Sequence, residues 1–263
     1  MIRKAQESDV ERLVPDTEGA ARLRALVDAY GLERPFLRIW TDGKGGFASL
    51  LDGAAVLSLP RGLDEEWRLF LAMQPEVKSV RGTAEDARRL ADTGEWTVSA
   101  GAVTAPGSML GDPETTTETL SPREVFPILT ACFGKEALPS FDAWYTDVSH
   151  RVRRRLCRLT GVREAGEPVA CAMTVAECGA APCEPAYGGA AVIGAVATLP
   201  AARGRGYASA CVLTLTRQLM GEGRRVFLSP KNGRAFQLYA GLGFVPCGEW
   251  GSAARSTTAR PFG

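Results

Sequence analysis

Val196-Ala197-Thr198-Leu199-Pro200-Ala201-Ala202-Arg203-Gly204-Arg205-Gly206-Tyr207-Ala208 decides how this chain is read. The apolar run Ala190 to Leu199 leads into it, and Tyr207 to Met220 leads out with helical spacing. Ala208, Cys211, Val212, Leu215 and Leu219 form one apolar stripe, and Gly221 and Gly223 close the helix. A strand, a glycine-bearing turn and a helix start follow one another. That order gathers free backbone N–H groups at the positive end of a helix, where a phosphate or pyrophosphate binds. Glycine lets the backbone approach the anion without a Cβ in the way. Arg203 and Arg205 add positive charge. A P-loop needs G-x-x-x-x-G-K-[ST], which does not occur. A dinucleotide fingerprint needs a third glycine where Ser209 stands. The pattern R-x-x-G-x-A is met at every fixed position from Arg203 to Ala208.

On these residues the chain resembles the GNAT superfamily of acyl-CoA-dependent N-acetyltransferases. Thr198 stands where that family usually has valine; both are β-branched and suit a strand. A second match lies downstream. After the short strand Val226–Ser229 come Asn232, Ala235, Phe236 and Tyr239, then Gly243-Phe244. Asn232, Ala235, Phe236 and Tyr239 are spaced i, i+3, i+4, i+7 and so share one helix face. The resemblance covers roughly the last 150 residues.

The resemblance implies an α/β (α+β) GNAT fold, a mixed, mostly antiparallel sheet flanked by helices, and acetyl-CoA as co-substrate. Backbone groups of Val196, Ala197 and Thr198 would pair with the pantetheine arm as an added strand does. Arg203, Gly204, Arg205, Gly206, Tyr207, Ala208 and Ser209 would hold the pyrophosphate. Asn232 matches the position that bonds the CoA arm; an N-cap role is the alternative, and the two are compatible. Tyr239 matches the general acid that protonates the departing thiolate, with structural packing as the alternative. The strand before the loop, Ala190 to Ala197, carries no carboxylate. Glu177 ends the preceding strand, where surface exposure is at least as good a reading. No general base is named. A non-catalytic acyl-CoA-binding protein is therefore the second functional reading.

Composition narrows the rest. The 263 residues are 45% hydrophobic and 23% charged, with a net charge of +1. That is ordinary for a globular protein and lacks the basic excess of a nucleic-acid binder. The longest apolar run, Gly188 to Pro200, is shorter than the ~20 residues a membrane span takes, and the N-terminus has no apolar signal core. Seven cysteines without C-x-x-C and a single histidine, His150, argue against a zinc site or disulfide framework. Buried thiols in a reducing cytoplasm fit better than a pairing of Cys178 and Cys183, which flank a loop and could join only under oxidation.

A Pro/Gly/Thr-rich stretch, Thr104 to Thr117, reads as a linker. It divides residues 1–104 from a catalytic unit at 105–263. The C-terminal unit is expected as strand Thr115–Leu120, helix Ser121–Cys132, helix Phe141–Val152, then strands Arg155–Val162, Val169–Cys178 and Ala190–Leu199 before the loop. Ser121 and Glu124 make a capping box. Asp142 and Asp147 flank Trp144 and either shape an acceptor site or face solvent. Arg151 to Arg155 and Arg158 read as a solvated helix end, with the CoA 3′-phosphate as the sharper alternative. The N-terminal half is expected as a helix over Val10–Ala29, strands Phe36–Trp40, Gly46–Leu50 and Ala54–Leu59, helix Leu63–Met73, strand Val77–Val80, helix Thr83–Leu90 and strand Trp96–Ala102. This order parallels the C-terminal half, yet its turn Ser58 to Leu63 lacks R-x-x-G-x-A. It reads as a degenerate GNAT-like half, a tandem arrangement without a second cofactor loop, or as an unrelated lid. Nothing in it specifies an acceptor amine, and no pattern encodes an oligomeric state.

Overall fold

A computed structural model describes residues 1–92, 94–180 and 188–255. The N-terminal half contains β1 (Arg3–Lys4), α1 (Glu7–Val10), α2 (Glu18–Tyr30), β2 (Leu37–Thr41), β3 (Phe47–Leu51), β4 (Ala54–Ser58), α3 (Glu65–Ala72), β5 (Ser79–Gly82), α4 (Ala84–Ala91) and β6 (Trp96–Pro106). The C-terminal half follows as β7 (Glu118–Thr119), α5 (Pro122–Phe133), α6 (Phe141–Arg153), β8 (Leu159–Glu164), β9 (Glu167–Cys178), β10 (Ala190–Thr198), α7 (Tyr207–Gly221), β11 (Arg225–Leu228), α8 (Gly233–Gly241) and β12 (Phe244–Arg255).

The strands make one mixed sheet in the order β1-β2-β3-β4-β5-β12-β6-β11-β10-β9-β8-β7. Exchanging each strand of one half for its counterpart in the other reproduces this order read backwards. The sheet is therefore a topological palindrome about the β12–β6 pair. β4 and β5 are parallel, and so are β10 and β11; the other pairings are antiparallel. The N-terminal half thus repeats the strand plan of the C-terminal half, parallel pair included, as the order of its elements led one to expect. The centre is exchanged: β12 lies between β5 and β6, and β6 lies between β12 and β11.

That exchange corrects the linker reading. Strand β6 continues through Thr104, Ala105 and Pro106 because β12 pairs with it from Phe244↔Pro106 to Arg255↔Trp96. Pro246, which cannot donate to a ladder, sits where that register shifts. Two other expectations are also revised. Val10–Ala29 is two helices, because Pro15 interrupts the backbone ladder and Thr17 caps α2 by accepting from Ala20 N–H. Strand β7 is two residues, not six, and β1 was not foreseen. The capping box of Ser121 and Glu124 forms at the start of α5.

Alternation along β10 sorts the two faces. Ala191 and Ile193 pack with Cys211, Val212, Leu215 and Leu219 of α7. Ala190 and Val192 pack with Ala21 and Ala25 of α2, together with Val103, Phe227 and Trp250. Helices α5 and α6 share the α2 face, through Val125, Leu129, Trp144 and Val148 against Leu159, Met173 and Ala197. Buried on both faces, β10 reads as a continuous apolar run. No helix among the described residues is long and apolar enough to cross a membrane.

Candidate active site

The parallel pair β10–β11 is short. It runs from Ala190↔Arg225 to Ile193↔Leu228 and then parts. Beyond Ile193, β10 continues to Thr198 paired only with β9, through a bulge between Gly194 and Ala197 where Ala195 takes φ +49°. The β11-facing side of Gly194 to Thr198 is the open limb of a fork. Val196, Ala197 and Thr198 lie on that limb, so the expected strand-like partner of a cofactor arm has a free edge to join. The Thr198 carbonyl is already taken by Arg203 Nε at 3.1 Å and Cys132 Sγ at 3.4 Å. Thr198 Oγ1 is buried without a hydrogen-bond partner among the described residues.

After a 3-10 turn at Pro200–Ala202, the loop reaches α7 with Gly204 at φ +82° and Gly206 at φ +76°. Gly206 is the N-cap residue, in the left-handed region that only glycine enters without strain. Ala210 N–H bonds Gly206 O, so the amides of Tyr207, Ala208 and Ser209 have no acceptor within the helix. No acidic residue stands in the first turn. The arginines contribute less than their positions suggested. Arg205 pairs with Glu164 of β8, which also accepts from the Tyr207 hydroxyl. The Tyr207 contact foremost, then Arg205, holds the Glu164 carboxyl below its usual range. What this loop offers to an anion is therefore its backbone amides rather than its arginine side chains.

Asn232 caps α8, accepting from Ala235 N–H at 2.9 Å. Tyr239 lies in the cluster of Ile193, Val212, Leu228 and Phe244, on the α7 face of the fork. Its ring is 6% exposed, its hydroxyl has no hydrogen-bond partner among the described residues, and burial pushes its pKa up to about 12. Burial therefore moves it away from the thiol range and keeps it protonated.

On the opposite face of the sheet, beside the fork, lies a cavity of about 1170 Å³ between the two halves. Arg22, Tyr30, Trp144, Asp147, Val175 and Ala176 are among its lining residues. Its floor touches the fork: Ala176 pairs with Val192, and Val175 lies so close that a Cβ on Gly194 would stand 2.9 Å from it. Asp142, Trp144 and Asp147 all line this cavity; Trp144 is buried and Asp147 half-buried, while Asp142 is also exposed to solvent. Tyr30 donates to Asp147 and stacks on His150, whose Nε2 bonds Ala29 O at 2.9 Å. His150 is thus held in a packing contact. Arg153, Arg154 and Arg155 are exposed, in keeping with a solvated helix end, but parts of the run are tied down. Arg151 bonds Asp147 and Val175 O, Arg154 bonds Asp28 O, and Arg158 bridges Glu177 and Glu222. Glu177 is 1% exposed, with Arg158 at 2.9 Å and Thr174 Oγ1 at 3.0 Å, so the exposed reading is overturned. The described cysteines are free thiols; Cys183, and with it any pairing to Cys178, lies outside the described residues.

Sequence reasoning missed Glu18, Arg22, Arg81 and Ser229. Glu18 of α2 accepts from Arg22, from Arg81 of β5 and from Ser229, the first residue past β11. Ser229 stands at the fork opposite Gly194. These residues are up to 211 positions apart, and no local pattern joins them.

The N-terminal parallel pair β4–β5 also parts, after Val56↔Arg81, but its surroundings differ. Gly19 of α2 sits over Leu57, where a Cβ would meet the Leu57 carbonyl oxygen at 2.6 Å. Asp64 caps α3 by accepting from Trp67 N–H, with Glu65 and Glu66 in the first turn. The helix end that would attract a phosphate already carries three carboxylates.

Comparison with known proteins agrees with this geometry. Residues 123–244 match the Acetyltransferase (GNAT) family model. The chain carries a GNAT domain, and its full length has the tandem GNAT fold. A tandem GNAT protein from the clavulanic acid biosynthesis pathway is 16% identical, with 99% of each chain covered and a TM-score of 0.61. A Drosophila protein is 13% identical over 98% of this chain and 99% of that one, with a TM-score of 0.69. A GCN5-related N-acetyltransferase from Sphaerobacter thermophilus is 20% identical, covering 96% and 94%, with a TM-score of 0.56. Curated protein sequences provide no match.

Proposed function

We propose that this protein is a cytoplasmic N-acetyltransferase that moves an acetyl group from acetyl-CoA to a primary amine of a small molecule or peptide. Residues 105–263 carry the chemistry, and residues 1–104 form a degenerate unit that covers the acceptor side. The observation that carries this reading is the fork: a free strand edge and an uncapped glycine loop on the β10–α7 side, and a cavity whose floor abuts the same point from the α2–α6 side. Acetyl-CoA enters along Val196 to Thr198 with its pyrophosphate on the amides from Gly204 to Ser209, and Asn232 faces the arm. The amine arrives through the cavity and attacks the thioester directly. Tyr239, kept protonated by burial, donates to the sulfur as the C–S bond breaks, and the proton shed by the amine nitrogen restores its hydroxyl through water. No metal takes part.

Calorimetric titration with acetyl-CoA, followed by an amine panel scored for free CoA release, tests this. Binding to the wild type, lost in Gly206→Glu, and turnover lost in Tyr239→Phe are the expected results. A second reading, acyl-CoA binding without transfer, has one observation in its favour: the carboxylate nearest the fork on β9, Glu177, is committed to Arg158 and Thr174. Tight binding with no transfer to any amine would favour it.

A further inference from the structure

At the fork-side end of the cavity two guanidiniums share one carboxylate. Glu18 Oε1 accepts from Arg22 Nε at 2.5 Å, from Arg81 Nη2 at 2.7 Å and from the Ser229 hydroxyl at 3.0 Å. Glu18 is 5% exposed, and the two arginine side chains are 22% and 19% exposed. The trio holds one uncompensated positive charge largely out of water, a costly arrangement until an anion completes it. Burial, and then the like charge of Arg22, push the Arg81 pKa down. Arg81 is committed: it stacks over Trp250 at 4.7 Å. Arg22 is not. It lines the cavity, Glu18 uses only its Nε, and its Nη groups have no partner among the described residues. One helical turn separates it from Glu18, which is itself bonded to Ser229 at the fork. Elsewhere on the cavity wall Arg151 pairs with Asp147, Asp28 pairs with Arg24 behind it, Arg34 and Arg153 are matched in number by Asp52 and Asp142, and the remaining arginine, Arg154, is exposed and donates to Asp28 O.

We propose that the acceptor is an amine that also carries a carboxylate, and that Arg22 receives this carboxylate while the amine points at the fork. The paired Nη donors of a guanidinium match the two oxygens of a carboxylate in one plane. The assignment rests on the acetyltransferase reading and adds the charge class of the acceptor to it. The N-terminal half then contributes a specificity-determining residue to a reaction whose cofactor belongs to the other half.

The test compares acceptors that differ only in the acid: glycine with glycinamide, β-alanine with β-alaninamide, and L-lysine with L-lysinamide. Rates are referred to the concentration of neutral amine, since an amide lowers the amine pKa. The same amino acids are titrated calorimetrically into the CoA-saturated protein. The acid is expected to exceed its amide at least about tenfold in kcat/KM. That ratio falls close to one in Arg22→Gln. In Arg22→Lys, which keeps the charge beside Glu18 if the glutamine variant does not fold, it falls severalfold. Amides that react as well as acids overturn the proposal and leave acetyl transfer standing. Carboxylate-dependent binding that Arg22→Gln abolishes, without turnover of any acceptor, removes the catalytic reading and with it the acceptor assignment, leaving Arg22 a carboxylate-binding residue only. Neither turnover nor binding of any amino acid overturns it.

Discussion

Two residues on the α7 side carry the chemistry proposed for the fork, and each is testable by itself. Gly206 holds φ +76° and faces open space, so its side chain is limited by backbone strain and by what the loop binds. Gly206→Ala is expected to cost about 1 kcal/mol of stability, read from denaturant unfolding. Gly206→Glu adds a negative charge where the pyrophosphate sits and is expected to weaken acetyl-CoA at least tenfold by calorimetry. Tyr239→Phe removes one hydroxyl from a buried site and is expected to lower kcat about a hundredfold while leaving the acetyl-CoA Kd within a factor of two. Glu18 gives a pH signature. Arg22 and Arg81 outweigh its burial and bring its pKa down to about 2 from an ordinary 4.5. A depressed carboxyl stabilises the fold above its unfolded pKa and loses that contribution as pH falls from about 4.5 towards 2. Thermal melts of the wild type are therefore expected to fall more steeply across that window than those of Glu18→Gln.

Two helix starts show how elements with one topological role acquire different functions. Helices α7 and α3 both follow the first strand of a parallel pair, but α7 begins at a bare glycine and α3 at Asp64 with two glutamates behind it. A carboxylate N-cap satisfies the amides and the helix dipole that an anion would otherwise seek. The chain is expected to bind one acetyl-CoA, not two, by calorimetric stoichiometry. Asp64→Ala is expected to cost about 1 kcal/mol without creating a second site. The missing R-x-x-G-x-A between Ser58 and Leu63 was legible before the fold was known, because loop glycines are a local signal. The Ser121–Glu124 capping box was legible for the same reason. The extent of β6 was not. Thr104 to Pro106 has loop composition, and only pairing with β12 makes it strand.

The exchange of β6 and β12 ties the two halves into one sheet, with α2 of one half packed on β9 and β10 of the other. A fragment of residues 105–263 lacks the strand between β11 and β12 and leaves the α2 face of β10 bare. It is expected to be unfolded or aggregated by circular dichroism and gel filtration, and co-expression with residues 1–104 is expected to restore a folded complex. A stable, monomeric 105–263 fragment would contradict this account of the sheet.

By itself, the sequence determined the glycine loop, the helix it starts, Asn232 and Tyr239 in order behind it, and the parallel order of elements in the two halves. These depend on contacts within a few residues, where periodicity, capping and φ preference act. Only the tertiary structure decided that the halves exchange their central strands, that Glu177 is locked in ion pairs, and that Glu18, Arg22, Arg81 and Ser229 meet at the fork. Those contacts are made by long-range packing and by the shared burial of charge, and neither leaves a mark on neighbouring residues.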